Sequence, residues 1–274
     1  MLTKSELKNL WHEYGFRPNK RLGQNFLIDK NVKDRILRNL ELDKGDIVVE
    51  IGAGFGEITF DIARKAKLVF AVEKDKRIAG IFKNRLAAPP NVKLIEEEFL
   101  DVDVKKLAEG ERCVFYGNLP YYVTTPILKK LIDNIRIVKC AYFVVQKEVA
   151  ERIIASPGSK KIGRLSLYTQ YHTDPEIIFT IGKKCFYPEP EVESALLKFS
   201  IPKTKKLRVK NEKLLFDIIK AAYSQRRKTL LNSLSSIVKD KETLSALLKT
   251  AKIDPQSRPE TLSLADFTRL ATIL

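Results

Sequence analysis

Four consecutive residues, Asn118-Leu119-Pro120-Tyr121, combine a side-chain amide, a stiffened backbone and an aromatic ring just after the apolar run of residues 112–117. That run reads as a buried strand, which puts the four at a strand's carboxyl end, where open α/β sheets hold their ligands. The chemistry they suit is the activation of an aromatic amine. The amino group of a nucleobase is a poor nucleophile, because its lone pair is delocalised into the ring. Asn118 can accept a hydrogen bond from such an amine, and the carbonyl of Leu119 or Pro120 can accept a second. Together they draw the nitrogen toward tetrahedral geometry and aim its lone pair. Pro120 fixes its own φ and so stiffens the turn; Tyr121 offers a face for a flipped-out base. A plainer reading is a turn entering a helix, with Thr125 as N-cap and Pro126 at the first helical position. It accounts for Thr125-Pro126 and leaves Asn118 to Tyr121 unexplained.

The elements before this stretch must supply a second reactant. Residues 47–51 form a short apolar run ending at Gly52-Ala53-Gly54-Phe55-Gly56, after which Ile58, Ile62 and Ala63 recur at helical spacing. Strand, glycine turn and helix open a nucleotide-binding doubly wound sheet. Gly52 and Gly54 let a backbone approach a ligand closely. The spacing is Gly-x-Gly-x-Gly, so the dinucleotide fingerprint is met in part. Residues 68–72 form the next run and end in Glu73, 21 positions after Gly52. An acid there is the expected partner of two ribose hydroxyls. Residues 92–95 read as a third strand, followed by Glu96, Glu97, Glu98, Phe99 and Asp101. One of these carboxylates can take an adenine amino group, with Phe99 against the ring. The alternative for this acidic loop, and for the Lys20-Arg21 arm leading to Gly23-Gln24-Asn25, is solvation. Asn25 stays a candidate ligand contact.

Beyond Tyr121 the pattern continues with a strand at 138–146, a helix opening at Gly163, an alternating strand at 176–181, and a proline-rich loop around Phe186. A last strand follows at 194–199. Phe186 reads either as a core aromatic or as a second stacking face. Residues 202–210 form a basic linker, after which the pattern is helical. Arg226, Arg227 and Lys228, read on one helix, fan around it by about 100° per residue. They serve either as a solvated face or as phosphate contacts.

The 274 residues suffice for a large α/β domain and a smaller one, with the division expected between 1–201 and 202–274. Fifty basic residues against 34 acidic give +16, and residues 201–274 carry +9 of it. A polyanion is the natural partner. The three cysteines are scattered, and no Cys or His cluster suggests a metal or a disulfide. No apolar run of transmembrane length or signal-peptide core is present, which predicts a cytoplasmic protein without a membrane partner.

Taken together, the segments 21–27, 50–54, Glu73, 118–121, 146–150, 163–166, 186–195 and 225–234 resemble, in order, the bacterial small-subunit rRNA adenine dimethyltransferases, the family whose loss confers kasugamycin resistance. The resemblance implies a Rossmann-like class I methyltransferase sheet with helices on both faces and a small helical C-terminal domain. It implies S-adenosylmethionine as cofactor, with Gln24, Asn25, Leu27, Gly52, Gly54, Glu73, Lys74, Phe99, Asn118 and either Glu98 or Asp101 around it. The target adenine would stack between Tyr121 and Phe186, and Lys20, Arg21, Arg226, Arg227 and Lys228 would meet RNA. A monomer acting on small-subunit rRNA inside a pre-30S particle is the expected form. The family's third-strand acid is commonly Asp, and the Tyr usual before Gly163 is Ile162 here. Two other enzymes share parts of the pattern. A dinucleotide-dependent oxidoreductase shares the glycine turn and Glu73, and leaves residues 118–121 and the basic tail unexplained. Macrolide-resistance rRNA methyltransferases share the catalytic residues and generally lack the segment 225–230. A non-enzymatic RNA-binding assembly factor would have no use for Asn118, Tyr121 and Glu73 together.

Overall fold

The computed structural model of the chain describes all residues except 20–22, 85–88, 121–122, 205–206, 208 and 226. Lys20, Arg21, Tyr121 and Arg226 therefore lie outside the described residues.

The chain divides into two compact units, residues 1–150 with 176–201, and residues 151–175 with 202–274. In order it runs through α1 (Lys4–Glu13), β1 (Phe26–Leu27), α2 (Lys30–Asn39), β2 (Ile47–Ile51), α3 (Thr59–Ala63), β3 (Leu68–Val72), α4 (Lys76–Asn84) and β4 (Val92–Ile95). Next come α5 (Val104–Ala108), β5 (Cys113–Asn118), α6 (Thr124–Asp133), β6 (Val138–Gln146), α7 (Lys147–Ile153), α8 (Arg164–His172), β7 (Asp174–Ile181), β8 (Phe186–Tyr187) and β9 (Ser194–Ser200). The helices α9 (Glu212–Ala222), α10 (Leu230–Ser233), α11 (Lys241–Thr250) and α12 (Leu264–Ile273) complete the chain.

Seven strands make one sheet in the order β4-β3-β2-β5-β6-β9-β7. The first five are parallel, and β9 runs antiparallel to β6. The order reverses between β2 and β5, so the crevice for a ligand opens beyond the ends of these two strands. Their residues are buried almost throughout, as expected when helices cover both faces of a parallel sheet. Val48, Val69, Val114 and Tyr116 share one face and pack with Ile36 of α2 and Ile62 of α3. Pleating sends Phe115 to the opposite face, where Phe99 meets it edge-on at 6.5 Å. Gly117 is required by the strand pairing itself, since a Cβ there would come within 2.8 Å of the Ile51 carbonyl oxygen.

Strands β2, β3 and β4 occupy the residues read from the apolar runs, while β5 runs one residue further than its run, so Asn118 closes the strand. Helix α6 begins at Thr124 with Val123 as its N-cap, which corrects the expected start at Thr125-Pro126. Pro126 then sits third in the helix, still within the first turn where backbone N–H groups have no intrahelical acceptor. The expected domain boundary also needs a correction. Residues 151–175 belong to the helical unit, because Ile162, Leu167 and Tyr171 bury themselves among Leu215, Ile218 and Ile219 of α9. Those α9 residues recur at helical spacing, and Asn211 caps the helix by accepting from the Leu214 N–H. Leu244, Leu248, Phe267 and Leu270 from α11 and α12 close the same core.

Among the elements that the sequence reading did not give, two bear on the site. Helix α1 starts with a capping box between Thr3 and Glu6, and its Leu7 is buried. Strand β1 pairs antiparallel with β8, Phe26 against Tyr187 and Leu27 against Phe186. The lead-in and the proline-rich loop, read separately as irregular, thus form one wall.

Candidate active site

The glycine turn after β2 is a consequence of backbone geometry. Gly52 and Gly54 have φ of 74° and 58°, values that side chains other than glycine rarely adopt. The Gly52 and Ala53 N–H groups both donate to the Val72 carbonyl, at 2.8 and 3.1 Å, so the turn is laced to the end of β3. Glu73, the next residue, accepts from the Gly54 N–H at 3.0 Å and from the Asp75 N–H at 2.9 Å. Each oxygen of its carboxylate keeps a further acceptor site. Glu73 is nearly buried, and that burial raises its pKa against the pull of the two backbone donors.

A cleft opens over this turn. Its walls include Gln24, Asn25, Leu27, Glu50, Gly52, Gly54, Glu73, Lys74, Glu98, Phe99, Asn118, Pro120 and Phe186. Asn118 reaches it from the end of β5. Its Nδ2 donates to the Asn25 carbonyl at 3.0 Å, which commits the amide nitrogen. The amide oxygen is then the end left to accept a hydrogen bond in the cleft. The following backbone is fixed as well: the Leu119 N–H donates to the Val144 carbonyl at 2.9 Å, and the Pro120 carbonyl accepts from the Val123 N–H at 3.2 Å. Because the Thr124 hydroxyl also reaches the Pro120 carbonyl, Leu119 offers, among the described residues, the less encumbered of the two carbonyls considered above.

Residues 15–274 match the ribosomal RNA adenine dimethylase family. The chain belongs to that family. It is 41% identical to the ribosomal RNA small subunit methyltransferase A of Alkaliphilus oremlandii, over 99% of this chain and 97% of that one. With the Clostridium botulinum protein of the same name it shares 40% identity over 96% of each chain. Its fold is that of a dimethyladenosine transferase from Plasmodium falciparum, with a TM-score of 0.77 at 23% identity over 89% of this chain and 95% of that one. The 23S rRNA methyltransferase ErmE also shares the fold, with a TM-score of 0.72 at 23% identity over 91% of this chain and 99% of that one.

Within this dimethylase family member, the structure gathers most of the residues singled out from sequence into one cleft. Of the two competing acids, Glu98 lines it, while Asp101 is exposed and outside the lining. Lys74 donates to Glu98 at 3.0 Å and so orients that carboxylate. Gln24 spends both ends of its amide on the protein, accepting from the Asn19 N–H at 2.7 Å and donating to Asp75 at 3.0 Å. It braces the loop that carries Asn25. Phe186 is only 4% exposed and packs in the core beside Leu27, Ile36 and Tyr116 while bordering the cleft, so it is both the core aromatic and a wall of the site.

The basic segment is not one helix, which corrects the fan of charges expected there. Gln225 ends a 3₁₀ turn, the Lys228 N–H closes back on the Gln225 carbonyl at 2.8 Å, and α10 starts only at Leu230. Backbone donors of Leu230 and Leu231 are taken by the Ser257 and Pro255 carbonyls, which breaks the helix here. Arg227 and Lys228 consequently sit exposed on a turn.

Several residues of the cleft were not found from sequence. Phe26 stacks on Phe55 with ring centroids 4.7 Å apart, and Leu2 and Leu7 approach from the N-terminal segment. The capping box at Thr3 and Glu6 was the available signal for that segment. Behind the cleft wall, Lys130 of α6, itself outside the lining, donates to the carbonyls of Leu100 and Val102 at 2.7 and 2.6 Å and lies over the Phe99 ring. Burial lowers its pKa. Glu50 and Tyr116, neighbours across β2 and β5, are both buried and both line the cleft. Among the described residues, no group of His, Cys, Asp or Glu is arranged to hold a metal ion, and no helix is long and apolar enough to cross a membrane.

Proposed function

We propose that the protein dimethylates N6 of two adjacent adenosines in a hairpin near the 3′ end of small-subunit (16S) rRNA, using S-adenosylmethionine. The observation that carries this reading is the Asn118 amide, whose nitrogen is held by the Asn25 carbonyl at the end of β5 and whose oxygen is left for a donor. An adenine amino group is such a donor. The Leu119 carbonyl would accept a hydrogen bond from its second N–H, and the two acceptors would leave the nitrogen lone pair pointing away from the ring plane. Tyr121 and Phe186 are the proposed stacking faces for the extruded base.

The cleft fits the cofactor on its own chemistry. Glu73 has acceptor sites for two ribose hydroxyls, Glu98 and Phe99 suit an adenine, and the glycine turn leaves room for a close backbone approach. S-Adenosylmethionine, when bound, supplies an electrophilic methyl group on a sulfonium. The protein's part is then to position the amine and the cofactor, to polarise the amine and to shield both from water. No side-chain nucleophile is needed.

In this reading the sheet unit performs the chemistry, and the helical unit and the N-terminal arm bind RNA through Arg226, Arg227, Lys228, Lys20 and Arg21. The substrate would be small-subunit rRNA within a pre-30S particle, and the protein would act in the cytoplasm as a monomer. Purified protein and labelled S-adenosylmethionine, offered in separate reactions small and large subunits lacking the modification, test it, with primer-extension mapping of the rRNA. Two adjacent modified adenosines near the 3′ end are expected. Modification of large-subunit rRNA instead, or binding of the particle without methyl transfer, would overturn the reading.

A further inference from the structure

Three buried side-chain oxygens around β2 close no hydrogen bond among the described residues: Glu50 Oε2, Tyr116 Oη of the neighbouring β5 and Thr59 Oγ1 of α3. Their residues are 3%, 2% and 0% exposed. Buried polar groups are nearly always paired, and a buried unpaired carboxylate is especially costly. Glu50 and Tyr116 also line the cleft, so the unpaired carboxyl oxygen belongs to a residue that a ligand would meet.

Among the described residues, the neighbours of Glu50 leave it without a compensating cation, since the cleft's Lys74 is given to Glu98. Across the sheet β5 presents Tyr116 and β3 presents Ala71. From α3, the Thr59 hydroxyl faces the Glu50 carboxyl. The charged side chains that α2 and α3 turn inward, Lys33 and Asp61, are closed on each other at 2.6 Å. At the end of β3 stands a second carboxylate, Glu73. Burial, with Glu73 adding its charge, pushes the Glu50 carboxyl up to about 8, against the Thr59 hydroxyl beside it; burial also drives the Tyr116 phenol well above its ordinary value. Near neutral pH Glu50 is then a neutral acid facing the cleft.

We propose that Glu50 is a charge-sensing residue, protonated while the cleft holds no cation and ionised when the sulfonium cofactor enters. This rests on the cofactor reading above. In the binding step the Glu50 O–H bond breaks, its electron pair stays on the oxygen, and the proton passes to the solvent buffer. S-Adenosylmethionine carries one positive charge more than S-adenosylhomocysteine, so the neutral product leaves Glu50 protonated. Glu50 thereby favours cofactor over product, and does so more strongly as the pH rises toward 8.

Calorimetry of both ligands in buffers of different ionisation enthalpy counts the protons released. The cofactor's own amino group titrates in every variant, so the difference between wild type and Glu50→Gln isolates Glu50. From a pKa of about 8, the wild type at pH 7 should release about 0.9 proton more per S-adenosylmethionine than Glu50→Gln does. Its affinity for S-adenosylmethionine should rise about 50-fold more than that of Glu50→Gln between pH 6 and 8. S-Adenosylhomocysteine should show neither effect. If Glu50→Gln does not fold, Tyr116→Phe serves: loss of the hydroxyl beside the ionised carboxylate moves the midpoint of proton release to higher pH. Equal release by wild type and Glu50→Gln, or equal release with the two ligands, would overturn the proposal and leave the cofactor reading standing. Absence of binding by either ligand would remove both.

Discussion

Replacing Asn118 by alanine removes two interactions whose sizes differ enough to be told apart. One is the tether from Nδ2 to the Asn25 carbonyl, a 3.0 Å hydrogen bond between neutral groups. Such a bond contributes about 1 kcal/mol net, so its loss alone should lower stability by about that much and slow the reaction by about fivefold. The other is the acceptor for the target amine, formed fully only as the nitrogen pyramidalises. Preorganised polar partners of this kind are worth about 100- to 1,000-fold in rate. Single-turnover methylation of unmodified small subunits at saturating S-adenosylmethionine, with cofactor affinity measured separately, distinguishes the two. A rate loss of at least about 100-fold with RNA affinity little changed is expected. A loss of only about fivefold would reduce Asn118 to a strut for the Asn25 loop and refute its role toward the amine.

Three further outcomes follow from the same geometry. Glu50→Gln should change the pH dependence of stability: with a carboxyl pushed up to about 8, the folded protein keeps a proton that the unfolded chain has lost, so between pH 5 and 8 the wild type loses stability relative to Glu50→Gln, at most about 1.4 kcal/mol per pH unit. Urea denaturation at several pH values reads this, and parallel curves would show that Glu50 ionises normally. Lys130→Met should free the Leu100 and Val102 carbonyls, destabilise the protein by roughly 2 kcal/mol and weaken cofactor binding severalfold with little effect on RNA affinity; unchanged calorimetry would show that the loop holds without the lysine. Arg227→Ala with Lys228→Ala should weaken RNA binding and flatten its salt dependence by roughly 0.7–0.9 per lost phosphate contact, and an unaltered slope in filter binding would remove this turn from the RNA surface.

The parallel strands were legible because a strand covered on both faces must be an apolar run, and residues 47–51, 68–72 and 138–146 are such runs. Glycine turns and a strand-end acid mark the cleft by residue type, which is why Gly52, Gly54 and Glu73 stood out. What sequence did not disclose depends on distant contacts. Residues 26–27 and 186–187 make strands of two residues each, too short for any periodicity. Residues 151–175 join the helical unit through scattered apolar side chains, and the helix break at Arg227 is imposed by carbonyls from residues 255–257. Glu50 looked like one more residue in a strand ending at a glycine turn; its isolation emerges only once Tyr116, Thr59 and the Lys33–Asp61 pair are in place around it.

The pairing of β1 with β8 also sets an order of assembly. Synthesis proceeds from the N-terminus, so residues 26 and 27 wait unpaired until some 160 more have left the ribosome. Closing a loop of that length costs roughly 4–5 kcal/mol of chain entropy, more than a two-residue ladder returns. Side-chain packing must therefore supply the rest, and Trp11 stacked on Tyr187 at 5.1 Å is suited to do so. A nascent chain can complete its parallel strands through β6 and still lack one wall of the cleft. That wall of the cleft is complete only once residue 187 has been made and has reached its partner.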